Sequence, residues 1–253
     1  MRILFSNDDG IQAEGIRALV RAFAPNHEVI VAAPARQQSG MAHALTVGIP
    51  IEVSHDAELE AIPGVTEAWA IDGTPTDSVK LYVEAIAQQK PDVVISGINH
   101  GANLATDITY SGTVGAAMEG YLHDIDAFAV SLDSASELSY DEVAEVFRSF
   151  VEQSVVQKEN REKPLFYNVN FPVRFHEDGV QYVFGRQGKR DYLNAFHREE
   201  KDGKIFYTMA GEIYDTDKGE PTDIYATEQG YVSVTPLIID ATDYPELDRR
   251  LGQ

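Results

Sequence analysis

Short apolar runs alternate with helical patterns of apolar residues over the first 135 residues of the chain. The runs are rich in Val, Ile and Ala and mostly lack polar alternation, which is typical of strands in a parallel sheet covered on both faces. We predict five such strands: Arg2–Ser6, Glu28–Ala33, Ala68–Ile71, Asp92–Ser96 and Ala127–Leu132.

Apolar residues recur at helical spacing between the predicted strands. One stripe begins at Ile16, a second at Val79 and a third at Val114. A fourth helix is predicted to begin at Ser139, which forms a capping-box pattern with Glu142. This alternation predicts right-handed βαβ units and an α/β fold with a doubly wound, Rossmann-like, mostly parallel sheet.

The pattern changes after about residue 163, where strand-like pieces are separated by charged turns that contain glycine. The pieces are Leu165–Asn170, Val180–Phe184, Ile205–Met209 and Val232–Thr235. We therefore predict an α/β core over residues 1–160 and a C-terminal extension rich in β-hairpins over residues 161–253. The extension is expected to pack on the core and on partner subunits.

Charge and composition narrow the classes of partner. The chain of 253 residues has a net charge of −21, which opposes binding of polymeric nucleic acid. No apolar run approaches the ~18 residues of a membrane span, so no membrane partner is expected. The first strand begins at Arg2 and leaves no room for a signal peptide. Because cysteine is absent, disulfides are excluded, and we predict a cytoplasmic location.

Polar residues follow several of the predicted strands, at the sheet edge where doubly wound folds bind ligands. Asp8 and Asp9 follow the first strand, Ser39 and Gly40 come after the second, and Asn99 follows the strand at Asp92–Ser96. Adjacent carboxylates repel each other unless a cation lies between them, and oxygen ligands of this kind suit Mg²⁺ or Mn²⁺. The alternative is an ordinary turn, because Asn-Asp-Asp-Gly is common turn sequence.

A second group of polar residues, Ser111–Thr113, directly precedes the third helical stripe. Ser111 suits the position that caps a helix, and the N-terminus of a helix also binds phosphate well. His43 and His100 flank the proposed site and are candidates for proton transfer, with a structural or surface role as the alternative.

Together, several motifs resemble those of the SurE family, the stationary-phase survival proteins that act as nucleotidases. The resemblance spans essentially the whole chain, in matching order and spacing. It rests on Ser6-Asn7-Asp8-Asp9-Gly10, Ser39-Gly40, Asp72-Gly73-Thr74-Pro75, Ser96-Gly97-Ile98-Asn99, Tyr110-Ser111-Gly112-Thr113-Val114 and Asn168-Val169-Asn170-Phe171-Pro172.

The resemblance implies a divalent-metal-dependent phosphomonoesterase, a 5′-nucleotidase that acts on nucleoside monophosphates and also on short polyphosphate. One Mg²⁺ or Mn²⁺ per subunit is expected, together with a homodimer or homotetramer. The implied metal ligands are Asp8, Asp9, Ser39 and Asn99, of which Asp8 and Asp9 are the catalytic residues. The implied phosphate and substrate contacts are Asn7, Gly40, Asn103, Ser111, Gly112 and Thr113.

The mechanism expected from these residues is direct attack by water. Asp8 or Asp9 would orient the water or accept its proton, and the start of the helix at Ser111 would stabilise the phosphoryl oxygens. An aspartyl-phosphate intermediate is disfavoured because no Asp-x-Asp pattern follows the first strand. Two alternatives remain open: a nucleotide- or anion-binding module without turnover, and a metal-dependent esterase or deacetylase.

Overall fold

The computed structural model describes residues 1–156 and 162–252, which form an α/β structure. The strands, in chain order, are β1 Arg2–Ser6, β2 Glu28–Pro34, β3 Val53–His55, β4 Val65–Ile71, β5 Val93–His100, β6 Asp126–Leu132, β7 Phe166–Phe171, β8 Tyr182–Phe184, β9 Lys189–Leu193, β10 Phe196–Lys201, β11 Lys204–Met209, β12 Glu212–Asp217 and β13 Val232–Pro236.

The helices alternate with the strands through the first half of the chain. They are α1 Glu14–Phe23, α2 Ala57–Glu60, α3 Pro75–Leu81, α4 Gly112–Leu122, α5 Tyr140–Val156, α6 Asp223–Glu228 and α7 Tyr244–Leu251. A π-helical turn, Tyr82–Ile86, follows α3, and a 3-10 helix, Ala105–Tyr110, precedes α4. The Ser139 hydroxyl accepts a hydrogen bond from Glu142 N at 3.2 Å, which agrees with the predicted start of α5.

The central sheet has the order β3-β4-β2-β1-β5-β6-β7-β13-β8. Its middle six strands, from β4 to β7, are mutually parallel. The chain moves outward from β1 through β2 in one direction and from β5 through β6 and β7 in the other. The strand order therefore reverses between β1 and β5, and a crevice is expected at their carboxyl ends.

Both faces of the sheet are covered, as predicted. Ile3 and Phe5 of β1 point into a core shared with α1 and α5, whereas Leu4 points into a core shared with α3 and α4. Successive residues of one strand thus face opposite layers, which is why its sequence is apolar without a break. The predicted fold class is confirmed.

The C-terminal half contributes to the sheet and also forms hairpins outside it. Strands β7, β13 and β8 extend the sheet beyond β6. Strands β10 and β11 form an antiparallel hairpin, and β9 pairs with β12. The predicted domain boundary at residues 160 and 161 lies outside the described residues. Among the helices of the described ranges, none has both the length and the apolar character needed to cross a membrane.

Strand β5 is longer than predicted and carries part of the site. It runs to His100, with a shift of register against β6 between Ser96 and Asn99. Gly97 has a φ of +139°, and a Cβ there would lie 2.2 Å from the carbonyl oxygen of Val130. Glycine is therefore required where the strand bends toward its last residues. The predicted strand ended at Ser96 because this irregular end has no simple apolar period.

Candidate active site

The turn after β1 is shaped by Asn7. This residue has no exposed surface, and its amide donates to the Gly10 carbonyl at 2.8 Å and accepts from Gly10 N at 3.1 Å. Gly10 has a φ of +98°, which L side chains rarely adopt. Because the Asn7 side chain is buried and both of its polar atoms are bonded to Gly10, its geometry suits shaping the turn that presents Asp8 and Asp9.

Asp8 lies between the end of β1 and the first turn of α4. Only 5% of the residue is exposed. The Thr113 hydroxyl donates to Asp8 Oδ1 at 2.6 Å, and a Cβ on Gly112 would lie 3.0 Å from Asp8 Cβ. Burial raises the pKa of Asp8 to about 6, and the charge of Asp9 adds to the rise despite the lowering effect of the Thr113 hydrogen bond. The protein groups around Asp8 therefore do not fully compensate its negative charge when it is ionised.

Asp9 is only partly buried and joins two further segments. Its Oδ2 accepts a hydrogen bond from His100 N at 3.0 Å, at the end of β5. Its Oδ1 lies 3.4 Å from Gln37 Nε2, which also donates to the Ser39 hydroxyl at 3.1 Å. One amide group thus links the carboxylate to Ser39, which is exposed. Gly40 follows with a φ of +74° and open space around its Cα.

The side chain of Asn99 is oriented by the backbone. Its Nδ2 donates to the Gly101 carbonyl at 2.7 Å, which leaves Oδ1 without a hydrogen-bond donor among the described residues. The residue is half-buried at the end of β5, the strand adjacent to β1. An amide oxygen held in this way has the chemistry of a ligand for a hard cation.

Asn103 is held against the sheet by a buried amide network. Its backbone N–H donates to Asn170 Oδ1 at 2.8 Å, and its Nδ2 donates to the Ser131 hydroxyl at 2.9 Å. Its carbonyl accepts from the side chains of Asn168 and Asn170 at 2.8 and 3.1 Å. These contacts fix the segment between β5 and α4 to strands β6 and β7.

The N-terminus of α4 completes the arrangement. Ser111 caps the helix, because its hydroxyl accepts from Val114 N at 3.2 Å. Gly112 and Thr113 follow, and both lie against Asp8. The first turn of a helix favours a negative charge through its N–H groups and its dipole. Asp8 therefore lies directly against a helix terminus of the kind that favours anions.

The two histidines predicted to flank the site have different surroundings. The imidazole of His100 lies 3.1 Å from the Tyr140 hydroxyl and is exposed. His43 Nε2 is hydrogen-bonded to Glu119 Oε2 at 2.8 Å. Burial acts to raise the pKa of Glu119, but hydrogen bonds from His43 and Lys80 outweigh it and lower the pKa to about 2.

A second group of possible ligand atoms lies elsewhere on the molecule. Glu84, Glu119 and His123 each offer an atom within 4.8 Å of the others, near the C-terminal end of α4. The Lys80 ammonium already lies 2.7 Å from Glu84 and 3.1 Å from Glu119. The charge of Lys80 therefore already balances these carboxylates. The cluster is separate from Asp8 and Asp9.

The sequence did not predict the contacts that Gln37 and the backbone of His100 make with Asp9. It also did not predict the cluster of Glu84, Glu119 and His123. Gln37 lies in an irregular loop, where no periodic pattern exists to single it out. Glu119 had a detectable signal, since it is a charged residue in a helix whose other residues are mostly small or apolar.

Comparisons with known proteins agree with these motifs. The family described as Survival protein SurE matches residues 3–194. The chain belongs to the SurE family. A protein named 5′-nucleotidase SurE from Pelotomaculum thermopropionicum is 43% identical over 251 residues, covering 98% of this chain and 93% of that protein. Another of the same name from Synechococcus sp. (strain JA-3-3Ab) is 42% identical over 247 residues, covering 96% and 94%.

The SurE assignment also holds for the three-dimensional structure. The crystal structure of the SurE protein from Aquifex aeolicus has a TM-score of 0.80 and 36% sequence identity, and the match covers 100% of both chains. The family resemblance predicted from the motifs is therefore confirmed over the whole chain.

Proposed function

We propose that this SurE-family chain is a divalent-metal-dependent 5′-nucleotidase, which hydrolyses nucleoside monophosphates to nucleoside and phosphate. The observation that carries the proposal is the contact between the Asp8 carboxylate and Thr113 at the N-terminus of α4. This contact puts a candidate cation site directly beside a candidate phosphate site. The relatives that carry the name 5′-nucleotidase support the substrate class.

The donor set fits a hard divalent cation. Asp8, Asp9, Ser39 and Asn99 offer carboxylate, hydroxyl and amide oxygens, which suit Mg²⁺ or Mn²⁺. The raised pKa of Asp8 is a second point of fit, because a bound cation would compensate the buried charge. When bound, such a cation supplies Lewis-acid polarisation of the phosphoryl group.

The chain's own residues then have distinct tasks. The backbone N–H groups of Gly112 and Thr113 and the Ser111 hydroxyl bind the phosphate and stabilise charge on its equatorial oxygens, while the Thr113 hydroxyl donates to Asp8. Asn103, held rigidly by its amide network, adds a contact on the side of β6. Asp8 or Asp9 orients the attacking water and accepts its proton. Gly40 gives the phosphate close access to the backbone, and Asn7 holds the turn.

An apolar cavity beside the helix N-terminus suits the nucleoside. It has a volume of about 200 Å³ and reaches Ser111. Its lining includes Val114, Met118, Phe166 and Leu237. A nucleobase gains from burial against such side chains, whereas polyphosphate does not. Short polyphosphate therefore remains a secondary substrate in this proposal.

We also propose that the chain forms homodimers or homotetramers through its C-terminal hairpins. Every residue of β10 and β11 is exposed. The strand register puts four apolar side chains on one face of this hairpin: Phe196, Ile205, Tyr207 and Met209. Arg198 and Glu200 lie on the same face, which we call the apolar face after its four exposed apolar side chains. Exposed apolar side chains on an isolated hairpin are typical of a surface that is buried in assembly. A cytoplasmic location stays the expectation from a cysteine-free sequence.

Phosphate release from AMP, with and without Mn²⁺, tests the proposed activity. We expect turnover with Mn²⁺ or Mg²⁺, none after exhaustive treatment with chelator, and recovery when the metal is restored. The Asp8→Asn/Asp9→Asn double variant should lose most activity while keeping its circular dichroism spectrum. Wild-type rates in that variant would contradict the site.

The same preparation separates the alternatives. A binding module would bind AMP without releasing phosphate. An esterase would hydrolyse p-nitrophenyl acetate faster than p-nitrophenyl phosphate. Trapping of a phosphorylated Asp8 or Asp9 during turnover would replace direct water attack by a covalent route.

A further inference from the structure

Glu119 is a buried charge that the proposed chemistry does not use. Its side chain is 3% exposed, yet it lies on α4 among small and apolar residues. Among the described residues it has three hydrogen-bond partners: His43 Nε2 at 2.8 Å, Lys80 Nζ at 3.1 Å and His123 Nε2 at 3.1 Å. A buried ion pair is weak evidence for a gain in stability, because apolar side chains of similar volume often serve as well.

The three partners come from three different elements. Lys80 lies on α3, and His123 lies at the C-terminal end of α4, four residues from Glu119. His43 alone among them belongs to the irregular segment between β2 and β3, the segment that also carries Ser39. The His43–Glu119 hydrogen bond therefore connects the Ser39 segment to the helix whose N-terminus borders Asp8.

This segment is attached to the site on both sides of Ser39. Before it, Gln38 N donates to the Asp8 carbonyl at 2.7 Å. After it, Ala42 N donates to the Tyr110 carbonyl at 3.0 Å, and His43 reaches Glu119. Ser39 itself is exposed and has little packing of its own. Its position relative to Asp8 and Asp9 consequently depends on these attachments.

The surface of α4 is adapted to this attachment. A Cβ on Gly115 would lie 2.2 Å from the Ala42 carbonyl oxygen, so the glycine lets the segment approach the helix backbone. Gly115 and Glu119 are four residues apart and lie on the same side of the helix. Gly115 thus packs against Ala42, and Glu119 is hydrogen-bonded to His43, the next residue of the segment.

We propose that His43 and Glu119 are positioning residues, which hold the Ser39 segment on α4 so that the Ser39 hydroxyl completes the cation site. The inference rests on the proposed function, because it assigns a task to a residue pair outside the ligand set. It predicts that the pair affects metal binding through Ser39 without touching the metal. Because His43 also lines the cavity proposed for the nucleoside, Mn²⁺ binding in the absence of AMP is the deciding measurement.

The two histidines that share Glu119 provide a matched comparison. His43→Ala removes the partner on the Ser39 segment, whereas His123→Ala removes a partner of the same carboxylate from the helix itself. His43→Gln retains an N–H donor at a similar reach. The full-length variants are compared by calorimetric titration with Mn²⁺ alone, by hydrogen exchange of a peptide covering residues 35–48, and by kcat and KM for AMP.

We expect His43→Ala to weaken Mn²⁺ binding about tenfold, the lower end of the loss seen when residues supporting metal ligands are removed. Exchange in the 35–48 peptide should accelerate while exchange in β1 and β5 stays unchanged. His123→Ala should bind Mn²⁺ within about twofold of the wild type, and His43→Gln should restore most of the affinity.

Several results would overturn the proposal. Equal Mn²⁺ affinities for His43→Ala and His123→Ala would show that Glu119 serves stability alone. A folded His43→Gln variant as weak as His43→Ala would show that the donor on the segment is irrelevant. A wild-type protein that neither binds Mn²⁺ nor releases phosphate from AMP contradicts the proposed function itself, which is a separate outcome.

Discussion

Thr113, in the first turn of α4, donates a hydrogen bond of 2.6 Å to Asp8 Oδ1 at the end of β1. The two residues are 105 positions apart in the chain and are both buried. Thr113 was predicted as a phosphate contact, and the structure adds that its hydroxyl donates to one of the two carboxylates that we propose as catalytic. The hydrogen bond favours the ionised form of Asp8 and so lowers its pKa against the effect of burial.

Replacing Thr113 by Val should therefore impair the enzyme at low pH first. Without the hydroxyl, the pKa of Asp8 rises further, so the acid limb of the kcat/KM profile for AMP should move to higher pH. A hydrogen bond to a charged group contributes about 1.5–3 kcal/mol, which corresponds to a loss of roughly ten- to a hundredfold in kcat/KM. Thr113→Ser keeps the hydroxyl and should retain the wild-type profile. A Val variant with an unshifted acid limb would contradict this role.

The buried Asp8 carboxylate should cost stability when no metal is bound. The pKa of Asp8 is about 6 in the folded protein, whereas 3.8 is the ordinary value expected in the unfolded chain. Between these two pH values, the folded protein therefore binds more protons than the unfolded chain. Its stability therefore falls as pH rises from about 4 to about 6, and the full cost of up to about 3 kcal/mol is present above that window.

Asp8→Asn should consequently be more stable than the wild type in the presence of chelator at pH 7.5, and the difference should shrink at pH 4. Urea unfolding at both pH values measures this. Asp9→Asn is the control, since Asp9 is only partly buried and a smaller change is expected. A chelated Asp8→Asn variant that is less stable than the wild type at pH 7.5 would argue against an uncompensated carboxylate.

The apolar face of the β10–β11 hairpin should govern assembly. The Tyr207→Ser/Met209→Ser double variant should shift the protein to a smaller species in size-exclusion chromatography with light scattering, because both side chains are more than 60% exposed in the single chain. The control, His197→Ser/Glu199→Ser, changes the opposite face of the same hairpin and should leave the mass unchanged. If both variants keep the wild-type mass, the hairpin is not the interface.

Much of the architecture could be predicted from the sequence. Strand β1 was predicted with its observed bounds, and β2 and β6 within one residue, because buried parallel strands are continuous apolar runs. Short or exposed elements such as β3, α2 and the hairpin strands β9, β10 and β12 were not predicted. Their residues are largely exposed, so no apolar pattern marks them.

The sequence by itself determined the doubly wound sheet, the two aspartates at the end of β1 and membership of the SurE family, since each depends on a local pattern or on motifs in order. The tertiary structure alone decided which distant groups meet these aspartates: Thr113 at Asp8, and Gln37 and the His100 backbone at Asp9. It also decided that a charged residue of α4 would accept a hydrogen bond from the Ser39 segment. Such contacts join elements far apart in the chain through packing of the whole sheet, and no local pattern encodes them.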